Sequence, residues 1–214
     1  MDTRDRGLIF GSWNVKGIRD PVKRTKILKH LKSLQMDIIF LQETHLTKDN
    51  ECKLKARWMG ETFHSTFSSR MRGVSIIFKK GLSFQHKRTI TDKEGRYIIV
   101  IGELYGTHIT LLNVYAPNTD NPAFYHKMFN LIPDISQTHL IIGGDFNTTL
   151  DPYLDRYSTG NIVRNASSET LNAFIENTNI VDLWRIKNPT SRGYSFYSPV
   201  HRSYSRIDFF PGGF

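Results

Sequence analysis

Asp145 and Asn147 follow a short apolar run, Leu140-Ile141-Ile142, and two glycines, Gly143-Gly144. In an extended chain, residues two apart project to the same face, so this acid and this amide can converge on one ligand. A carboxylate beside a neutral amide suits a phosphoryl group with a divalent cation. The acid orients water or binds metal, and the amide donates to a phosphoryl oxygen without adding negative charge. The same Gly/Asp/Asn cluster equally describes an Asx-turn that closes a strand.

Further polar residues recur at the ends of strand-like runs: Asn14, Glu43, Tyr115 followed by Asn118, and Asp208 within Ser205-Arg206-Ile207-Asp208. Each has a plain structural reading: turn chemistry for Asn14, a surface acid for Glu43, a core tyrosine for Tyr115, an ion pair with Arg206 for Asp208. Strand ends gathered at one rim are also a common way to build a site on rigid supports. The repetition points toward a site.

The elements that must position these residues alternate without linkers or repeats. Residues 8–15 read as a first strand. Asp20-Pro21 offers an N-cap and a proline for the first helical turn, and Ile27, Leu28, Leu31 and Leu34 mark one face of the helix that follows. Residues 38–41 read as a second, buried strand ending at Gln42-Glu43. More strands are expected at 63–67, 74–78, 96–104 and 108–115, with a helix over 123–131 that stops before Pro133. Residues 168–177 read as a helix capped by Ser167 or Ser168, then 181–184 as a short strand or turn. Residues 194–197 and 205–210 complete the strand candidates. Strands outnumber helices, and several adjoin without a helix between them. That pattern predicts an α/β fold of two packed sheets flanked by helices, not a doubly wound parallel sheet. Residues 1–214 are read as one domain.

The net charge of +9 favours a polyanionic partner. Basic residues cluster at Lys16, Arg19, Lys23, Arg24, Lys26, Lys29 and Lys32, which a solvated helix face explains well. They cluster again across 185–206, interleaved with Tyr194, Phe196, Tyr197 and Tyr204. Cations among aromatics suit nucleic acid better than a plain solvated face. No apolar run approaches the ~20 residues that span a bilayer, so no membrane partner is expected. The first six residues lack a signal-peptide apolar core. The single cysteine, Cys52, excludes an internal disulfide, and no Cys/His spacing suits zinc.

In chain order, Trp13-Asn14, Leu41-Gln42-Glu43-Thr44, Asn113-Val114-Tyr115-Ala116-Pro117-Asn118, Gly144-Asp145-Phe146-Asn147 and Ser205-Arg206-Ile207-Asp208 resemble the motifs of the endonuclease/exonuclease/phosphatase family. That family includes exodeoxyribonuclease III, the apurinic/apyrimidinic repair endonucleases and deoxyribonuclease I. Gln42-Glu43-Thr44-His45-Leu46 resembles the form found in LINE-type (non-LTR) retrotransposons, whereas repair enzymes usually carry a lysine at the position of His45. Gly144–Thr148 followed by Leu154-Asp155-Arg156 is similar to the same branch.

The resemblance implies a four-layered α/β sandwich that hydrolyses one strand of double-stranded DNA with Mg²⁺, Mn²⁺ being the substitute. By position, it implies that Glu43 binds the metal with Asn14 beside it, and that Asp145 and Asn147 belong to the same metal site. Asp145 would orient or deprotonate the attacking water, Asn147 would donate to the scissile phosphate, and Tyr115 would contact that phosphate or assist the leaving group. DNA contacts are expected from Asn118, Arg156, Arg192, Tyr197, His201 and Arg202. A nuclear monomer, joined to a reverse transcriptase domain in the full-length element, is the corresponding expectation. An exodeoxyribonuclease III-like apurinic/apyrimidinic repair endonuclease is the second enzyme reading. A catalytically dead DNA-binding remnant is a third reading, and a phosphatase of small phosphate esters a fourth.

One departure qualifies the resemblance. The family's counterpart of Asp208 orients a histidine from a Ser-Asp-His motif further along, yet none of the eight histidines follows Asp208, the last being His201. The expectation is therefore a domain incomplete at its C-terminus, lacking its last strands, with impaired chemistry.

Overall fold

Strands with both faces covered organise the structure, a computed structural model describing residues 7–157 and 164–213. Along the chain these are β1 (Phe10–Asn14), α1 (Pro21–Ser33), β2 (Ile38–Gln42), β3 (Met59–Ser65), β4 (Val74–Lys79), β5 (Phe84–Thr91), β6 (Tyr97–Leu104) and β7 (Thr107–Tyr115). There follow α2 (Pro122–Phe129), β8 (His139–Asp145), β9 (Arg156–Tyr157), α3 (Ala166–Asn177), β10 (Val181–Asp182), α4 (Leu183–Lys187), β11 (Phe196–Ser198), β12 (Ser203–Ser205), β13 (Asp208–Phe209) and β14 (Pro211–Gly213).

A 4-stranded sheet runs β1-β2-β4-β3, with β1 and β2 parallel and the rest antiparallel. A 7-stranded sheet runs β10-β14-β8-β7-β6-β5, with β13 also on β8; there β7 and β8 are parallel. A 3-stranded sheet, β11-β12-β9, stands apart from both.

Period-two alternation assigns each face. Ile38 and Phe40 of β2, Ile76 and Phe78 of β4, Ile98 and Val100 of β6, Leu111 of β7 and Ile141 of β8 form the core between the large sheets. Their neighbours Ile39, Leu41 and Ile77 turn the other way, onto Ile27 and Leu31 of α1. Ile99, Leu112, Val114 and Ile142 likewise meet Tyr125 and Met128 of α2 and Leu171 of α3. Burial on both faces is why these strands read as unbroken apolar runs. The layers are helix, sheet, sheet and helices, as the sequence implied. Phe40 is wholly buried at the centre, and its truncation to alanine would cost about 3–5 kcal/mol. The inter-sheet core turns polar just below the rim. There Gln42 Nε2 donates to Asn113 Oδ1 (2.8 Å) and Ser12 Oγ (3.0 Å), coupling the sheets directly under Glu43.

Several local expectations are corrected. The cap of α3 is Asn165, whose side chain accepts from Ser168 N, and not Ser167 or Ser168. Both serines lie inside the first turn, with hydroxyls donating to Asp120 Oδ1 and Thr149 O. Strand β3 starts and ends before the expected 63–67. Strand β5 was not anticipated; its FQHKRTIT sequence is that of a charged sheet edge. Residues 181–184 divide into β10 and the start of α4, which Asp182 caps through Trp184 N and Arg185 N. The run 205–210 is not one strand but the end of β12 and all of β13.

Candidate active site

β1, β2, β7 and β8 end at one rim, and their terminal polar residues meet there. Asn14 Nδ2 donates to Glu43 Oε1 (2.7 Å) and to Asp145 Oδ2 (3.0 Å), which ties the end of one sheet to the end of the other. The Asn14 side-chain oxygen, Oδ1, accepts from Lys16 N. Glu43 and His45 both take left-handed backbone (φ 51° and 54°), a strain of roughly 1 kcal/mol or more each. Gly17 N donating to Glu43 O (2.7 Å) and Thr44 N donating to Gly73 O (3.0 Å) hold this segment in place. His45 Nε2 lies 3.3 Å from Glu43 Oε2.

Asp145 is buried and closes an Asx-turn, its Oδ1 accepting from Asn147 N (3.0 Å). The turn reading is therefore correct for this pair, and the turn sets both side chains at the rim. Gly144, at φ 144°, has no room for a side chain, because a Cβ would lie 2.0 Å from Val114 O. Asn147, at φ 49°, donates from Nδ2 to Ala116 O (2.8 Å). Burial, then the facing Asp208 carboxylate, push the Asp145 carboxyl up to about 7 against the pull of the Asn14 and Asn147 donors. Burial also raises Asp208, which Ser195 partly offsets. Burial and the Glu43 carboxylate, which its hydroxyl bonds, push Tyr115 up to about 12.

Beside Asn147 opens a cavity of about 370 Å³, whose lining includes Asn118, Arg156 and His201. The structure thus brings three of the expected DNA contacts to one place. Tyr197 packs against Tyr204 in a tilted pair (4.6 Å between ring centroids) across the β11–β12 hairpin, whose turn carries His201, exposed Arg202 and the projecting Val200. Arg192 is exposed ahead of β11, outside the cavity lining.

The second basic cluster is less available than composition suggested. Arg206 is buried and pairs with Asp155 (2.8 Å) and Asp182 (2.6 Å), not with Asp208. Its guanidinium lies between the rings of Trp184 (4.8 Å) and Phe209 (4.5 Å). Arg185 also pairs with Asp155. Sequence reasoning missed Arg96, which lies over the Tyr115 ring at 5.6 Å and donates to Tyr115 O. No strand-end motif marked it, because it enters from a turn.

Among the described residues, no three His, Cys, Asp or Glu side chains form a metal cage. A Mg²⁺ ion in a phosphoryl site needs fewer protein ligands, using one or two carboxylates with water and substrate oxygens. Glu43 and Asp145, held together by one amide, are hard oxygen donors of that kind. The site fits such an ion.

Comparison with known proteins bears on this geometry. The sequence profile described as Endonuclease/Exonuclease/phosphatase family matches residues 11–210. The Transposon TX1 uncharacterized 149 kDa protein of Xenopus laevis is 31% identical over 206 residues, covering 94% of this chain and 16% of that protein. The DNA-(apurinic or apyrimidinic site) endonuclease 2 of Xenopus laevis is 28% identical over 215 residues, covering 77% of this chain and 41% of that protein. The chain thus spans less than half the length of either relative. Among solved structures, AP endonuclease LMAP from Leishmania major superposes with a TM-score of 0.73 at 19% identity, over 100% of this chain and 82% of that one. An AP endonuclease from Archaeoglobus fulgidus gives 0.70 at 20% identity, over 96% and 86%. These two likenesses show a shared fold.

Proposed function

This chain belongs to the Endonuclease/Exonuclease/phosphatase family, and we propose that it is a Mg²⁺-dependent nicking endonuclease of a retrotransposon, hydrolysing one strand of double-stranded DNA. The observation that carries the reading is the Asn14 bridge, which holds Glu43 and Asp145 at 2.7 and 3.0 Å from one amide nitrogen. A cation held by Glu43 and Asp145, Mg²⁺ or its substitute Mn²⁺, supplies neutralisation of phosphate charge when bound.

The side chains divide the remaining work. Asp145, oriented by the Asn14 and Asn147 N donors, is placed to orient the attacking water or take its proton. Asn147 is oriented by Ala116 O and keeps one amide hydrogen for a phosphate oxygen. Tyr115, pushed to about 12, stays protonated, and its one hydroxyl hydrogen, given to Glu43 in the free site, turns to a phosphate oxygen when substrate binds. Asn118, Arg156 and His201 receive the strand beside the scissile bond, while Tyr197 and Arg202 on the hairpin meet the duplex, with Arg192 reinforcing the electrostatic attraction. The 31% identity to a transposon protein over 94% of the chain supports the retroelement branch, as does a histidine, His45, against Glu43. On this reading the chain works in the nucleus as a monomeric domain, joined to a reverse transcriptase in a longer element.

Supercoiled plasmid incubated with the protein and Mg²⁺ tests this, with EDTA and Asp145→Ala as controls and an abasic-site duplex alongside. Metal-dependent relaxation lost in Asp145→Ala is the expected result. Cleavage confined to the abasic duplex would replace this reading with the repair enzyme. DNA retention without cleavage by either substrate would sink both.

A further inference from the structure

Two arginines outside every motif above stand at the Tyr115 side of the site. Arg72 closes the loop before β4, and Arg96 closes the turn before β6. Gly73 N donates to Gly95 O (3.0 Å), which ties loop to turn, and Arg96 N donates to Asp92 Oδ2 (3.1 Å), which fixes the turn. Both guanidiniums share a single carboxylate oxygen, Glu94 Oε2, with Arg72 Nη1 at 2.8 Å and Arg96 Nε at 3.8 Å. The arginine side chains are 23% and 16% exposed, whereas Glu94 is 62% exposed. Each guanidinium lies on an aromatic ring, Arg72 on Phe67 at 4.8 Å and Arg96 on Tyr115 at 5.6 Å.

Two half-buried cations with one solvent-exposed carboxylate between them leave a net positive charge. Like charges held this close repel, and the cost falls when a further anion joins them. Planar guanidiniums laid on rings lose little freedom on binding and match the oxygens of a phosphate. Tyr115 connects the pair to the reacting centre, since the same ring that carries Arg96 bonds Glu43 through its hydroxyl.

We propose that Arg72 and Arg96 form a binding site for a backbone phosphate of the cleaved strand, next to the scissile one. The inference rests on the phosphodiesterase reading and names a second phosphate contact for it.

The test is equilibrium binding of a fluorescent DNA duplex in EDTA across a salt series, which needs no chemistry. Arg72→Gln and Arg96→Gln should each weaken binding, and the double variant should reduce the slope of log K against log salt by about 0.9, one phosphate contact. Glu94→Gln should tighten binding, because it removes the carboxylate that competes with phosphate; a purely structural ion pair predicts no such gain. Near-UV circular dichroism establishes that each variant is folded. Should Arg96→Gln fail to fold, the more exposed Arg72→Gln decides. A folded Arg72→Gln with the wild-type affinity, or a Glu94→Gln that binds no tighter, overturns the proposal while plasmid nicking leaves the parent reading standing. Wild-type protein that binds no DNA at any salt overturns both.

Discussion

Asp145 and Asp208 are register partners, directly opposite one another on antiparallel strands β8 and β13. Like charges in that position destabilise a sheet, and burial of both sharpens the conflict. The fold tolerates it where Asn14, Asn147 N and Ser195 donate hydrogen bonds to the pair. Local destabilisation concentrated on two strand-end carboxylates is what a site for a cation or a proton requires.

Asp208→Asn removes the repulsion while keeping the shape. We expect metal-free protein at pH 8 to gain about 1 kcal/mol of stability, while plasmid nicking slows. Calorimetry in EDTA reads the first and gel electrophoresis the second. A variant that melts below wild type would show that the facing carboxylates do not repel.

Asn14→Ala withdraws the donor shared by Glu43 and Asp145. Activity should fall by about 10²-fold or more, the scale for losing one preorganised donor at a reacting centre. The Asn14 hydrogen bond holds the Asp145 carboxyl down, so its loss raises that group. The acidic limb of the pH–rate profile should then move to higher pH. An unmoved profile with intact activity would remove Asn14 from the site.

His64, outside the rim cluster, gives a second pH dependence. Burial, and the Lys55 charge, lower it from 6.5 to about 4, and its ring nitrogens contact Ser75 Oγ and Thr62 Oγ1. A histidine depressed in the fold takes up its proton more readily when unfolded. Its contribution is present above 6.5 and is lost as pH falls toward 4, up to roughly 3 kcal/mol. Urea titrations at pH 7 and pH 4.5 should show a smaller acid loss for His64→Gln than for wild type. Equal losses would assign the acid sensitivity to other groups.

Arg206→Met breaks a buried ion network. Asp155 is wholly buried and, among the described residues, keeps Arg185 as an ion partner and Asp151 N as a donor once Arg206 is gone. The unfolding free energy should drop by roughly 3 kcal/mol or more, read from the urea midpoint. Because Asp208 lies two residues further on, opposite Asp145, nicking should weaken along with stability. A loss within 1 kcal/mol of experimental scatter would mean that the pair behaves like an exposed one.

Much of the molecule is legible in its linear order. Leu140-Ile141-Ile142 announces a strand covered on both faces, and Asp20-Pro21 announces the start of α1, because burial pattern and helix capping are written in neighbouring residues. That Glu43, Asp145 and Asn147 gather at one rim was visible in their types and strand-end positions. Strand β5 and the Asn165 cap were not, since an exposed edge has weak alternation and Asn competes evenly with Ser as a cap. The tertiary structure alone decided who meets whom. Asn14 reaches Glu43 across 29 positions and Asp145 across 131, Asp208 faces Asp145 instead of pairing with Arg206, and Arg96 arrives over Tyr115 from a turn. Those meetings follow from strand register and sheet-on-sheet packing, which couple distant segments and leave no mark in any local pattern.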